Sequence, residues 1–299
     1  MGILPPAPFG RLLTAMVTPF TADGTLDVAG AQALAAHLVD QGCDGLVISG
    51  TTGESPTTSD AEKDRLLRAV IEATAGRATI VAGVGTYDTA HTMESAIAAE
   101  KAGAAGLLVV TPYYNRPPQS GLLAHFRAVA DATDLPVMLY DIPIRTGSPI
   151  ATETLLRLAE HPKIVAVKDA KGDLPASSTV LAATDLVYYS GDDVLNLPLL
   201  AVGAAGCVSV VAHAFAPQIR ELIDAFDTGD TARAIALHHQ LMPAHTGFFR
   251  TQGVILTKAA LRCLGLPSGP VRLPLVDATA EQVEVLRADC AAAGLELPA

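Results

Sequence analysis

Basic residues are scarce in this chain. Twenty Lys and Arg stand against 31 Asp and Glu, giving a formal net charge of −11 and a pI near 5.1. A protein that tracks phosphates carries a basic stripe; none is present, which argues against nucleic acid as a partner. Charge of either sign is thin, at 17% of residues, while half of the 299 residues are hydrophobic, enough for a sizeable core. No apolar run reaches the length of a membrane span. The cysteines, Cys43, Cys207, Cys263 and Cys290, are far apart and form no C-x-x-C pair. Neither a disulfide framework nor a zinc site is expected, and a reduced cytoplasmic setting fits. The opening MGILPPAPFGRLL lacks the charged-then-apolar layout of a signal, and Pro6 stands where a myristoylation signal needs Ser or Thr. No H-E-x-x-H, Walker or Ser-elbow pattern occurs.

Short runs rich in Val, Ile and Leu do recur. They are LLTAMV (12–17), GLVIS (45–49), TIVAG (79–83), GLLVV (106–110), PVMLY (136–140), IVAVK (164–168), LVYYS (186–190) and GCVSV (206–210). Ala/Leu-rich helical stretches separate them. Strands alternating with helices predict βαβ units and a parallel sheet. Eight such units predict an α/β fold of the closed (β/α)₈ TIM-barrel type, which needs about 250 residues. A doubly wound open sheet is the alternative, but GVGTYD (83–88) supplies only two of the three glycines of a dinucleotide loop. Past residue 215 the strand pattern stops, and helices are expected near 229–246, 250–264 and 279–293. The chain therefore divides into a barrel over 1–228 and a C-terminal helical extension over 229–299.

In such barrels catalytic groups sit at the strand C-termini. Those ends carry Thr18, the GTTGES turn (50–55), Thr111 to Asn115, Tyr140, Arg145, Lys168, Gly191 to Asp193, and Ser209. Lys168 ends a run that is apolar throughout, as in a strand buried on both faces. An ordinary Lys has a pKa of about 10.4 and is protonated at neutral pH. Burial lowers that value, and the free amine condenses with a keto acid to a Schiff base. An ion pair with Asp169 or Asp192 is the alternative, and position alone leaves both open. Tyr140, ending the adjacent strand, is the candidate proton shuttle. GTTGES can form an anion cradle of backbone N–H groups with the hydroxyls of Thr51 and Thr52, or simply a capped turn. Arg145 lies between Pro143 and Pro149, suited to bidentate capture of a carboxylate. TPYYNRPP (111–118) folds over the rim or fills a partner's pocket. His125, His213 and the pair His238-His239 read as core or surface histidines.

GTTGES, VVTPYYNRPPQSGLLAHFRAVA, LYDIPIRTG, VKDAKGD, SGDD and GCVSV, in this order and spacing, resemble the dihydrodipicolinate synthase family of N-acetylneuraminate lyase-like class I aldolases, over about residues 10–275. The resemblance implies a carbon–carbon bond-forming lyase. It would condense pyruvate with L-aspartate 4-semialdehyde to 4-hydroxy-tetrahydrodipicolinate, the first committed step toward diaminopimelate and lysine. It implies that Lys168 forms the imine and Tyr140 moves protons, with Thr51 and Tyr114 completing a relay. Thr52 and the backbone at Val208 would hold pyruvate beside Gly191, and Arg145 would bind the second substrate's carboxylate. No metal or organic cofactor is implied. A homotetramer built from two tight dimers is implied, with TPYYNRPP carrying the relay tyrosine into the neighbouring subunit. Members inhibited by lysine carry polar and acidic groups in a dimer-interface pocket. The matching positions here are Asp60, Tyr87, His91 and Tyr113, and the missing carboxylate at 91 predicts weak feedback inhibition. Ile144 also departs from the small or polar residue usual beside the arginine. Another pyruvate-dependent aldolase or dehydratase on the same scaffold is the nearest alternative, and a non-catalytic binding barrel the more distant one.

Overall fold

Two nested cores explain why the strand sequences are apolar at most positions, on both faces. The computed structural model describes residues 2–298. Its strands are β1 (Leu12–Ala15), β2 (Gly45–Ile48), β3 (Thr79–Gly83), β4 (Gly106–Val110), β5 (Val137–Asp141), β6 (Ile164–Asp169), β7 (Val187–Ser190) and β8 (Gly206–Ser209). They pair in parallel, each with its sequence neighbour, and β8 closes onto β1. Successive side chains on a strand point to opposite faces. Leu13, Val47, Val81, Leu108, Met138 and Val208 therefore fill the barrel interior. Their neighbours Leu12, Leu46, Ile80, Leu107, Leu139 and Cys207 pack outward against the helices. At the N-terminal end Phe9 plugs the interior, its amide donating to the Tyr189 hydroxyl at 3.2 Å.

The helices are α1 (Val28–Asp40), α2 (Asp60–Thr74), α3 (Thr89–Ala102), α4 (Gln119–Asp131), the single turn α5 (Pro143–Thr146), α6 (Thr152–Leu158), α7 (Leu174–Ala183), α8 (Asn196–Ala201), α9 (Ala212–Asp227), α10 (Thr231–Gly247), α11 (Gly253–Cys263) and α12 (Ala280–Ala292). Helix α2 shows how local chemistry sets a boundary. The Ser59 hydroxyl accepts from the Glu62 amide at 3.3 Å, and the Glu62 carboxylate accepts from the Ser59 amide at 2.9 Å. Such a reciprocal cap contributes about 1 kcal/mol and fixes where the chain turns into helix after GTTGES.

The closed barrel agrees with the sequence reading, and the expected strands lie within one or two residues of the observed ones. The C-terminal region differs in one respect. Four helices follow β8 rather than three, because α9 carries Pro217 inside it and a non-helical residue, Phe215, at its kink. A proline within an apolar stretch reads as a break, yet here the helix resumes and buries Phe215, Ile219, Leu222 and Ile223. Helix α10 packs on α9 and α12, and α11 on the same two.

Candidate active site

Alternation along β5 and β6 places the two central groups. Met138 and Ala166 point into the barrel, so Tyr140 and Lys168, two residues further on, do the same at its C-terminal mouth. The strand register sets them side by side, and the Lys168 Nζ lies 4.2 Å from the centroid of the Tyr140 ring. Lys168 is 4% exposed. Burial pulls its pKa down from 10.5 to about 8; the Asp193 charge opposes that fall and the Arg145 charge assists it. Near pH 8 about half of such a group is a free amine, against well under 1% of an ordinary lysine. Burial also pushes the Tyr140 phenol up to about 12, partly offset by the charge of Arg145 and the nearby Thr51 hydroxyl. Lysine is thereby poised to lose its proton and tyrosine to keep one.

The ion-pair alternative for Lys168 is not what the structure holds. Among the described residues no carboxylate lies within 4 Å of its ammonium. Asp169 points outward, accepting from the amides of Lys171 and Gly172 at 2.8 and 3.2 Å and from the Ser177 hydroxyl at 2.5 Å. Asp192 caps the turn after β7 through the Val194 amide. The charge that Lys168 does feel, Asp193, is buried and occupied by the amides of Val210 and Val211 at 2.9 and 3.1 Å, by Asn196 at 3.2 Å and by the Ser209 hydroxyl. Sequence reading noted SGDD without separating the two acids. Only the loop geometry shows that one is a turn cap and the other a buried acceptor.

Around Lys168 lies a cavity of about 450 Å³, walled by Thr51, Thr52, Tyr140, Arg145 and Gly191. The GTTGES turn closes on itself through Gly53 and Ser55 amides donating to the Gly50 carbonyl and the Glu54 amide donating to the Thr51 carbonyl. Among the described residues the amides of Thr51 and Thr52 donate to no protein acceptor, so the expected cradle has two free N–H groups. Gly191 is there for space. A Cβ on it would meet Lys168 Cγ at 2.9 Å and Cε at 3.0 Å. Arg145 sits in the one-turn helix α5 rather than an extended loop, exposed and with no carboxylate within 4 Å among the described residues. Ile144 beside it is 90% exposed and lines the same cavity. Val208, expected at the site, is fully buried in the barrel interior, and it is Val210, two residues nearer the mouth, that lines the cavity.

An adjoining cavity of about 310 Å³ shares Thr51, Tyr140 and Arg145 and adds Tyr113 and Tyr114. Tyr114 has φ +73°, in the left-handed region, and is 92% exposed. It points away from its own chain's packing. Tyr113 instead stacks edge-on against Tyr87 at 5.5 Å, and the Asp60 carboxylate accepts from His91 Nε2 at 2.9 Å, so the four expected effector positions form two side-chain pairs. The lone histidines are in the core. His213 Nε2 accepts from the Val17 amide and its Nδ1 faces the Val210 carbonyl at 2.8 Å; burial lowers its pKa to about 4.

Sequence reasoning missed the wall supplied by the C-terminal helices, including Phe249 and Gln252, and a buried ion pair of Glu54 with Lys258 at 2.6 Å. Glu54 was read only as part of a turn, and nothing in the spacing links it to a lysine 204 residues away.

Known proteins resemble this chain along almost its entire length. The 4-hydroxy-tetrahydrodipicolinate synthase of Acidothermus cellulolyticus is 72% identical over 291 residues, 97% of this chain and 94% of that protein. The 4-hydroxy-tetrahydrodipicolinate synthase 2 of Streptomyces coelicolor is 64% identical, with 98% of each chain covered. Among solved structures, DHDPS from Cyanidioschyzon merolae, crystallised with lysine bound, superposes with a TM-score of 0.95 at 45% identity, covering 97% of this chain and all of that one. The model of the dihydrodipicolinate synthetase family matches residues 8–293, and the chain belongs to that family.

Proposed function

We propose that this lyase condenses pyruvate with L-aspartate 4-semialdehyde through an imine on Lys168. The observation that carries the reading is a buried lysine without a carboxylate partner, its pKa lowered to about 8, beside a tyrosine that burial keeps protonated. The free amine attacks C2 of pyruvate, and the Tyr140 phenol supplies the proton that lets water leave the carbinolamine. Loss of a C3 proton then gives the enamine. Its C3 attacks the aldehyde carbon, and the amine of the second substrate closes the ring onto the imine carbon and releases Lys168. The free amides of Thr51 and Thr52 suit the pyruvate carboxylate, and the Thr52 hydroxyl in the cavity wall adds to that hold. Arg145, unpaired in the cavity wall, suits the carboxylate of the semialdehyde.

Tyr114 completes the proton relay through Thr51 to Tyr140 in a neighbouring subunit, as its left-handed backbone and outward side chain support. The working assembly is a homotetramer in the cytoplasm; among the described residues no helix is long and apolar enough to cross a membrane. Borohydride added with pyruvate should leave a reduced adduct on Lys168, detectable by mass. A coupled assay with aspartate semialdehyde against other aldehydes then sets the second substrate. Full activity with Lys168 unmodified would end the imine mechanism, and preference for a polyol or aromatic aldehyde would move the chain to another reaction of the superfamily.

A further inference from the structure

Glu54 stands at the end of the GTTGES turn with φ +54° and ψ +38°, a left-handed conformation that a residue with a Cβ adopts only when its surroundings demand it. What demands it comes from the far end of the chain. Its carboxylate is buried against Lys258 Nζ of α11 at 2.6 Å and accepts from the Arg272 amide at 2.9 Å. Lys258 also donates to the Pro270 carbonyl at 2.8 Å and lies over the Phe20 ring. The Arg272 guanidinium, also over the Phe20 ring at 4.0 Å, donates to the carbonyls of Gly24 and Thr57 and pairs with Glu62. Glu54 itself and the Thr57 carbonyl after it are thus tied to α11 and the segment that follows. The Thr51 hydroxyl reaches Tyr140, and the backbone of the Thr51–Thr52 step is held through this turn. Within the turn the Glu54 amide donates to the Thr51 carbonyl at 3.2 Å, so a rotation at Glu54 re-aims the two free amides.

We propose that Glu54 and Lys258 are positioning residues for the keto-acid carboxylate: their buried ion pair locks the turn in the conformation that aims the Thr51 and Thr52 amides at the cavity. The inference rests on the reading of that turn as the pyruvate cradle. Tyr140 on β5 and Lys168 on β6 share no hydrogen bond or ion pair with Glu54 or Lys258 among the described residues, so the pair acts first on binding, through the aim of the two amides. Docking of the C-terminal helices and pyruvate affinity are then coupled in both directions.

The test is borohydride trapping across a range of pyruvate concentrations in Glu54→Gln, which keeps the shape and removes the charge. The half-saturating pyruvate concentration should rise roughly tenfold, within the usual range of coupling between sites. The trapping rate at saturating pyruvate should change less than about twofold. A folded Glu54→Gln with unchanged half-saturation, whatever its melting temperature, overturns the inference while leaving the imine reading intact. So does a fall in the saturating rate with no change in half-saturation. Absence of any adduct in the unaltered chain overturns the site reading itself. If Glu54→Gln does not fold, the neutral pair Glu54→Gln with Lys258→Met carries the same measurement, because a buried pair replaced on both sides leaves no orphan charge.

Discussion

Replacing Lys168 by Met should make the protein more stable at neutral pH while abolishing activity. The lysine's pKa falls from 10.5 to about 8 on burial. At ~1.4 kcal/mol for each tenfold change in proton affinity, holding the ammonium in the barrel mouth below pH 8 costs about 3 kcal/mol. Unfolding returns the group to its ordinary value. Between about 8 and 10.5 the unfolded chain therefore binds more protons than the folded one, and stability rises with pH across that window. The penalty is full below the window and gone above it. Methionine fills similar volume with no charge, so Lys168→Met should gain about 3 kcal/mol at pH 7, roughly 6 °C in melting temperature for a chain of this length. The gain should shrink to below about 1 kcal/mol at pH 10. Thermal melts of both proteins from pH 7 to 10 measure it. Destabilisation at pH 7 would mean that Lys168 is held by a compensating charge. A gain that does not shrink with pH would mean that packing, not desolvation, is responsible.

Tyr140→Phe keeps the ring beside Lys168 and removes the proton it moves; kcat should drop by about 10²–10⁴-fold, and a near-unaltered rate would exclude it from the shuttle. The rate of adduct formation at saturating pyruvate should climb with pH, since the free amine reacts, and level off above about 8; a climb continuing past pH 10 would indicate an ordinary, solvated lysine. Gly191→Ala puts a methyl 2.9 Å from Lys168 Cγ, and the resulting displacement should slow trapping by about 10²-fold without loss of fold; unchanged kinetics would show that the lysine has room to move. Millimolar L-lysine should leave the rate nearly unaltered, because Asp60 is already paired with His91 and no carboxylate stands at 91 to receive an effector's amine; inhibition at sub-millimolar lysine would refute this.

The barrel was legible because burial on both faces leaves its mark on every strand residue, and the C-terminal helix kinked at Pro217 was not, because proline gives the same sign whether a helix ends or bends. Lys168 and Tyr140 were legible as polar groups at the ends of apolar runs. Their adjacency follows from strand order, which the βαβ rhythm supplies. The two acids of SGDD were not separable, since which one turns inward depends on a φ/ψ choice after β7. Glu54 and Lys258 were illegible for a different reason. Each is an ordinary polar residue in its own local pattern, and only tertiary packing desolvates both.

The arrangement of buried charge identifies the reactive group without reference to any relative. The buried charged side chains are Glu54, Asp141, Lys168, Asp169, Asp193 and Lys258. Glu54 and Lys258 neutralise each other. Asp141 faces Lys171 at 3.2 Å, Asp169 is bonded by two amides and Ser177, and Asp193 by two amides, Asn196 and Ser209. Lys168 alone has neither a hydrogen-bonding partner nor a paired carboxylate among the described residues. A buried charge without compensation resolves its cost by losing the charge. In a carboxylate that yields a neutral acid; in a lysine it yields a nucleophile. The same desolvation that makes the ammonium form of this residue costly leaves it the amine that can attack a carbonyl.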